Sequence, residues 1–198
     1  MRTAMLLAVV VLIGAGIGIG LKQATSGDDG ATPARALTVN SDEARARLSG
    51  APAPIASLHA RAGDLLPGAK DALDRELAKL DGHPAVVNVW ASWCGPCIEE
   101  APVIQRVSLD RGKEVGFLGV DLRDSRDGAM AFLKRFPVTF PSIEDPEGEV
   151  YNDYKLLGQP ATAFYDASGE RTYIHQGPYE SPEAFDADVR RYALGASS

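Results

Sequence analysis

Ala85-Val86-Val87-Asn88-Val89-Trp90-Ala91-Ser92-Trp93-Cys94-Gly95-Pro96-Cys97 is a short apolar run that ends in two cysteines two residues apart. Ala85 to Ala91 is uncharged and rich in valine, the pattern of a central strand. The cysteine loop follows at once and opens an apparent helix that reaches about Leu109. A thiol at a helix N-terminus sits beside unpaired backbone N–H groups and the positive end of the dipole, which stabilise the thiolate. Cys94 is therefore the expected exposed attacker. Cys97 stands close enough to attack a mixed disulfide and release the partner, so the pair can alternate between dithiol and disulfide. Pro96 restricts the loop at a position that has no i−4 acceptor to lose. Half a zinc site and a static bridge are the other readings of such a pair. Zinc needs two more ligands, yet there is no second cysteine pair and His59, His83 and His175 show no paired spacing. A bridge closing so short a loop restrains little of the unfolded chain.

Outward from this stretch, helix and strand signals alternate. Ala72, Leu73, Leu77 and Leu80 repeat at helical spacing within residues 69–80, and Val115–Asp121 reads as a second buried strand. A helix is expected near Asp127–Phe136, an extended piece around Ser142–Glu144, and a helix over Glu147–Leu157 with Val150, Tyr154 and Leu157 on one face. Ala161–Asp166 and Arg171–His175 predict strands joined by the turn Asp166-Ala167-Ser168-Gly169. Ser181 predicts the cap of a last helix, with Pro182 in its first turn and Phe185, Val189 and Tyr192 facing inward. The expected fold class is α/β: a sheet flanked by helices on both faces and ending in an antiparallel hairpin.

With 198 residues, 45% of them hydrophobic, the chain can build one domain with a real core and has some length to spare. Both of its cysteines lie in the one loop, so the fold is not held by structural disulfides. Arg2 and Lys22 apart, 18 Lys and Arg face 27 Asp and Glu, a balance that argues against nucleic acid as a partner. The eighteen uncharged residues Ala4–Leu21 would span roughly 27 Å as a helix and predict an N-terminal membrane anchor over 1–22. A cleaved signal peptide, giving a secreted protein, is the alternative, because Gly14, Gly16, Gly18 and Gly20 weaken the hydrophobicity. Arg2 favours a cytoplasmic N-terminus and an extracytoplasmic globular part. Residues 23–54 read as a solvated tether, in which Ser41–Leu48 has two helical turns' worth of sequence, and 55–195 as the folded domain.

Val89 to Cys97 resembles the active-site strand and loop of the thioredoxin superfamily. Pro102 resembles the proline inside that family's active-site helix, and Gly158-Gln159-Pro160-Ala161-Thr162-Ala163-Phe164 the segment carrying its cis-proline. The likeness covers roughly residues 55–195. Cys97 and Pro160 are about twenty residues further apart than a minimal thioredoxin requires, which resembles the TlpA/ResA-like group of anchored, extracytoplasmic thiol:disulfide oxidoreductases. The resemblance implies a thioredoxin-like fold with a helix and strand, near 127–144, inserted between the active-site helix and the cis-proline loop.

It also implies a protein-disulfide reductase that needs no cofactor or metal, with Cys94, Cys97, Glu100 and Pro160 as catalytic residues. Trp93, Gly95, Pro96 and Gln159 would meet the substrate, while Trp90 belongs to the core. Glu100 aligns with an active-site acid of the ResA-type proteins and, three residues after Cys97, shares its helix face. It could exchange a proton with Cys97 and keep the thiol pKa values from falling too far. A solvated carboxylate in the first helical turn is the alternative, and the expected role of Glu99. Asn88 stands where cytoplasmic thioredoxins carry a buried aspartate, so no proton-transfer role is carried to it. The implied clients are exported proteins with cysteine pairs, such as apocytochromes c or copper-site proteins. The implied electron donor is a thiol-carrying membrane protein. Oxidation of exported proteins by the same chemistry in reverse is the main alternative. A copper-carrying module of this fold is a third, although its relatives space the cysteines one residue wider.

Overall fold

A computed structural model describes residues 41–196. The anchor read over 1–22 and the tether up to residue 40 lie outside the described residues. Helices α1 (Ser41–Leu48) and α2 (Ala53–His59) lead into strand β1 (Leu65–Leu66) and helix α3 (Ala69–Ala78). Strand β2 (Ala85–Trp90), helix α4 (Gly95–Arg111), strand β3 (Gly116–Leu122), helix α5 (Arg126–Arg135) and strand β4 (Ser142–Asp145) follow. The chain continues through α6 (Glu149–Asp153), β5 (Ala161–Tyr165), β6 (Arg171–Gln176) and α7 (Pro182–Asp188), and ends in a π-helical turn over Val189–Ala193. The sheet order is β1-β4-β3-β2-β5-β6; the first four strands are mutually parallel, and β5 and β6 are antiparallel to their neighbours. This is a mixed, thioredoxin-like α/β architecture, with α5 and β4 lying between the active-site helix and Pro160.

Alternation along the central strands supplies two cores. Val87, Val89, Leu118 and Val120 pack with Leu73 of α3 and Val150 of α6, whereas Val86, Phe117 and Phe164 pack with Val103 and Val107 of α4 and Phe185 of α7. Trp90 is core, stacked on Phe132 of α5 at 4.4 Å, and its indole N–H donates to Ser142 Oγ at 3.3 Å. Gly119 permits this packing, because a Cβ there would collide with the Ser142 hydroxyl. The hairpin turn is drawn together by the Asp166 carboxylate, which accepts from Ser168 N at 2.8 Å and Glu170 N at 3.1 Å.

Three local expectations change. The two helical turns read at Ser41–Leu48 form α1, while α2 begins at Ala53, inside the stretch read as tether, and both helices bury side chains that the composition did not signal. Leu48 of α1 is buried with Leu109, and Ile55 and Leu58 of α2 join the main core. His59, closing α2, places its ring nitrogens 2.8 Å from the Thr139 carbonyl and 2.7 Å from the Gly112 carbonyl. These partners lie more than fifty residues away, so the local composition carried no trace of them. The sixth helix stops at Asp153 rather than Leu157, and Lys155 adopts a left-handed φ of +53°. That turn rotates the following residues: Leu156 is buried and Leu157 is 88% exposed, although helical spacing had put Leu157 inside. Strand β1, two residues long, is too short for any periodicity to announce.

The rotation at Lys155 has a measurable consequence. Leu156→Ala should lower the free energy of unfolding by about 2–5 kcal/mol, as for other buried leucines, and Leu157→Ala should change it by no more than about 0.5 kcal/mol. Urea unfolding of the two variants checks this; equal losses would put Leu157 in the core.

Candidate active site

Cys94 is the N-cap of α4, four residues after β2 ends at Trp90, and its Sγ accepts from Cys97 N at 3.2 Å. The two sulfurs form a disulfide of 2.05 Å. The flanking surface is open: Gly95 and Pro96 are exposed, and Trp93 is 59% exposed with its indole N–H donating to the Arg123 carbonyl at 3.3 Å. Cys94 itself is only 5% exposed, less than the sequence suggested. The loop before β5 is one element that covers it. The Gln159–Pro160 peptide is cis, Pro160 is buried, and the Gln159 carbonyl oxygen lies 3.8 Å from Cys94 Sγ. In the dithiol form, an S–H at Cys94 is within reach of that carbonyl. It is the backbone of Gln159 that meets the sulfur.

Cys97 is buried and shares a small cavity with Asn88, Trp90 and Phe132. Glu100, one turn along α4, is 1% exposed, so the solvated alternative fails for it, while Glu99 is exposed. Glu100 Oε1 accepts from Tyr179 N at 3.0 Å and Oε2 from the Asn88 amide at 3.2 Å. Burial pushes its pKa up to about 7, and these two hydrogen bonds oppose the rise without cancelling it. Asn88 donates also to Thr162 Oγ1 at 3.2 Å, directly across the β2–β5 ladder. Tyr179 in turn donates its phenol to Asp188 at 2.7 Å and stacks on His175.

The structure thus gathers Trp93, Cys94, Gly95, Pro96, Cys97, Gln159 and Pro160 around one disulfide, with Glu100 buried one turn further along α4. Asn88, Thr162 and Tyr179 were not read as its companions. Asn88 was noted only for what it replaces, and the Tyr179 N–H is 79 residues from Glu100, beyond any local signal. Among the described residues no group of three or more His, Cys, Asp and Glu side chains is placed to hold a metal ion. Chemically, the site offers a dithiol/disulfide pair at a helix N-terminus and one buried carboxyl able to gain or lose a proton near neutrality.

Comparison with known proteins agrees with this geometry. Residues 48–189 match the Redoxin family model. The thiol:disulfide interchange protein DsbE of Allochromatium vinosum is 34% identical over 138 residues, covering 66% of this chain and 74% of that protein. The thiol-disulfide oxidoreductase ResA of Oceanobacillus iheyensis is 34% identical over 103 residues, 52% of this chain and 54% of that one. The solved structure of MTB dsbF, in mixed oxidised and reduced forms, superposes with a TM-score of 0.53 at 34% identity, covering 58% of this chain and 84% of that one.

The state of Glu100 is open to a direct check. In the unfolded chain its carboxyl loses its proton near 4.5, whereas in the folded protein it keeps it to about 7. Its protonation therefore favours the fold fully below pH 4.5, and that contribution is lost as pH rises to about 7. At about 1.4 kcal/mol per unit, wild-type stability should fall by about 3 kcal/mol over this window relative to Glu100→Gln. Chemical denaturation of both proteins at pH 4.5, 6 and 7.5 measures it; a constant difference would show an ordinary carboxylate.

Proposed function

The chain belongs to the Redoxin family and is a thiol:disulfide oxidoreductase of the DsbE/ResA type, and we propose that it works as a reductant of exported client proteins on the extracytoplasmic side of a membrane. The observation that carries this direction is the buried Glu100. Strong oxidants of this chemistry owe their high potential to a stabilised reduced form with a low-pKa thiolate. The N-terminus of α4 supplies some of that stabilisation to Cys94. A carboxyl that ionises beneath Cys97 works against it, because negative charge close to a nascent thiolate raises the thiol pKa. The reduced pair is then less favoured and gives up its electrons more readily.

The cycle follows from the two sulfurs. The Cys94 thiolate attacks one sulfur of a client disulfide, forming the mixed disulfide and releasing the other client sulfur as a thiolate, which takes a proton. Cys97 passes its thiol proton to the Glu100 carboxylate and attacks Cys94 Sγ. The mixed bond breaks, the second client sulfur leaves as a thiolate, and the Cys94–Cys97 disulfide remains. Two electrons have moved from this pair to the client. A thiol-carrying membrane protein returns them by the same exchange in reverse, so no bound cofactor is needed. The cis-Pro160 loop, with the exposed Trp93, Gly95 and Pro96, forms the surface on which the client lies.

Apocytochromes c before haem attachment and copper-site proteins are the clients proposed, since both present cysteine pairs that must be reduced before they are filled. The apolar run Ala4–Leu21, read as the membrane anchor, supports the extracytoplasmic placement. Among the described residues no helix is long and apolar enough to cross a membrane.

The equilibrium reduction potential of Cys94/Cys97 in the full chain, measured against dithiothreitol and glutathione series, decides the direction. A value near or below about −250 mV is expected; one between about −150 and −120 mV would make the protein an oxidant of its clients. In pre-steady-state exchange, the step that closes the Cys94–Cys97 disulfide should accelerate as pH rises through about 7, where Glu100 becomes able to accept a proton. Glu100→Gln should slow that step about 100-fold and remove the inflection.

A further inference from the structure

A second cavity, of about 370 Å³, opens where β1, β3 and β4 reach their carboxyl ends, the edge of a parallel sheet at which ligands characteristically bind. Six carboxylates line it: Asp71, Asp121, Asp124, Glu144, Asp145 and Glu149. Five have evident structural work. Asp145 accepts from the N–H groups of Glu149 at 2.7 Å and Val150 at 3.0 Å, closing the N-terminus of α6. Asp124 accepts from Ser92 N at 2.5 Å and Ser125 N at 2.7 Å. Glu144 pairs with Arg126 at 2.7 Å. Asp71 and Glu149 lie in the first turns of α3 and α6, where the dipole favours an anion.

The sixth, Asp121, meets Asp124 through a side-chain hydrogen bond. It is 3% exposed, and its Oδ1 is the buried side-chain atom that finds no hydrogen-bond partner among the described residues. An acceptor shut away without a donor forfeits the hydrogen bonds it made to water, the more so when charged, so a donor that enters the cavity recovers that loss. The nearby guanidinium groups are held by partners other than Asp121. Arg126 serves Glu144 and the Leu65 carbonyl, and Arg123 lies over the Tyr151 ring. The cavity also borders the cysteine loop: Asp124 holds the backbone of Ser92, two residues before Cys94, and Trp93 bonds the Arg123 carbonyl.

We propose that this cavity receives a basic side chain, a guanidinium or ammonium group, of the client protein whose disulfide lies at Cys94, with Asp121 as the buried acceptor. The inference rests on the thiol:disulfide reading and adds a chemical class of client to it. A metal ion demands several oxygens converging on one point, and no described group of three or more converges so. A guanidinium spreads five donors over a planar fork and suits acceptors distributed around a wider space. The acidic body of the chain, with 27 Asp and Glu in all, steers basic segments toward it.

Titration of Asp121 provides a signature. Burial, then the charge of Asp124 and the side-chain hydrogen bond with it, then the charges of Glu144 and Asp145, push its pKa up to about 8. A basic side chain must displace the proton below that pH and meets a carboxylate already ionised above it. Binding of the cation therefore strengthens as pH rises.

The test uses the full chain, reduced beforehand, in single-turnover reactions with peptides that carry one intramolecular disulfide. Arginine is placed at each flanking position in turn and compared with citrulline, its neutral counterpart. At one or more positions arginine should lower the half-saturating peptide concentration about tenfold, with the limiting rate unchanged. This advantage should vanish in Asp121→Asn and, in the wild type alone, should grow between pH 6.5 and 8.5. The ratio of the two peptides cancels the titration of the thiols, and the wild-type pH series needs no variant to fold. An arginine advantage that is absent, that persists in Asp121→Asn, or that ignores pH overturns the proposal. So does stoichiometric uptake of calcium that Asp121→Asn abolishes, which would make this a metal site. If the citrulline peptides are reduced without any arginine preference, only this inference falls; if neither peptide is reduced, the oxidoreductase reading falls and takes it along.

Discussion

A carboxyl group removed from water must find hydrogen-bond donors that are themselves held in place, and at Glu100 three distant parts of the chain meet that demand. The side chain comes from α4, one donor from Asn88 in β2, and the other from the Tyr179 backbone after β6. Asn88 bonds also to Thr162, which stands opposite it in β5, two residues beyond the cis-proline. The active-site helix, the central strand and the cis-proline loop are thereby tied to one buried group. Displacing any of them leaves an acceptor unpaired at a cost of about 1–3 kcal/mol, a large fraction of the stability of a domain this size. The same arrangement sets the chemistry, since a carboxyl that titrates near neutrality is useful only if its donors do not move.

The first turns of α4 hold both the cysteine pair and a titratable buried carboxyl. The N-terminal end of α4 favours a thiolate at Cys94, which makes it the nucleophile. Glu100, three residues after Cys97 in the same helix, is a buried carboxyl whose pKa is raised to about 7. Cys94 lies against the Gln159 carbonyl, 3.8 Å from its sulfur.

The inserted segment does more than enlarge the domain. By lying between β1 and β3 in the sheet, β4 separates those two strands and brings Glu144 and Asp145 to the carboxyl edge beside Asp121. Helix α5 covers Trp90 through Phe132 and packs against the cysteine loop. The acidic cavity and the cysteine loop are consequently joined through the short connection from β3 to α5, in which Asp124 holds Ser92.

The order of helices and strands, the cysteine pair at a strand-to-helix junction, and the hairpin with its Asp-to-Gly turn were legible because each rests on neighbouring residues: periodicity, cap chemistry and backbone preference. Burial and hydrogen-bond pairing obey no such locality. Glu100 and Glu99 are adjacent carboxylates in one helical turn, and only the approach of Asn88 and Tyr179 makes one a buried acid while the other stays in water. Leu156 and Leu157 are the same residue twice; the left-handed turn at Lys155 decides which enters the core. Asp121 reads as the last residue of an ordinary strand until β4 and α3 close around it. The sequence by itself determined the architecture and the reacting sulfurs, because local forces suffice for both. Only the tertiary structure decided which carboxylates are buried and what they face, because that depends on contacts between segments tens of residues apart.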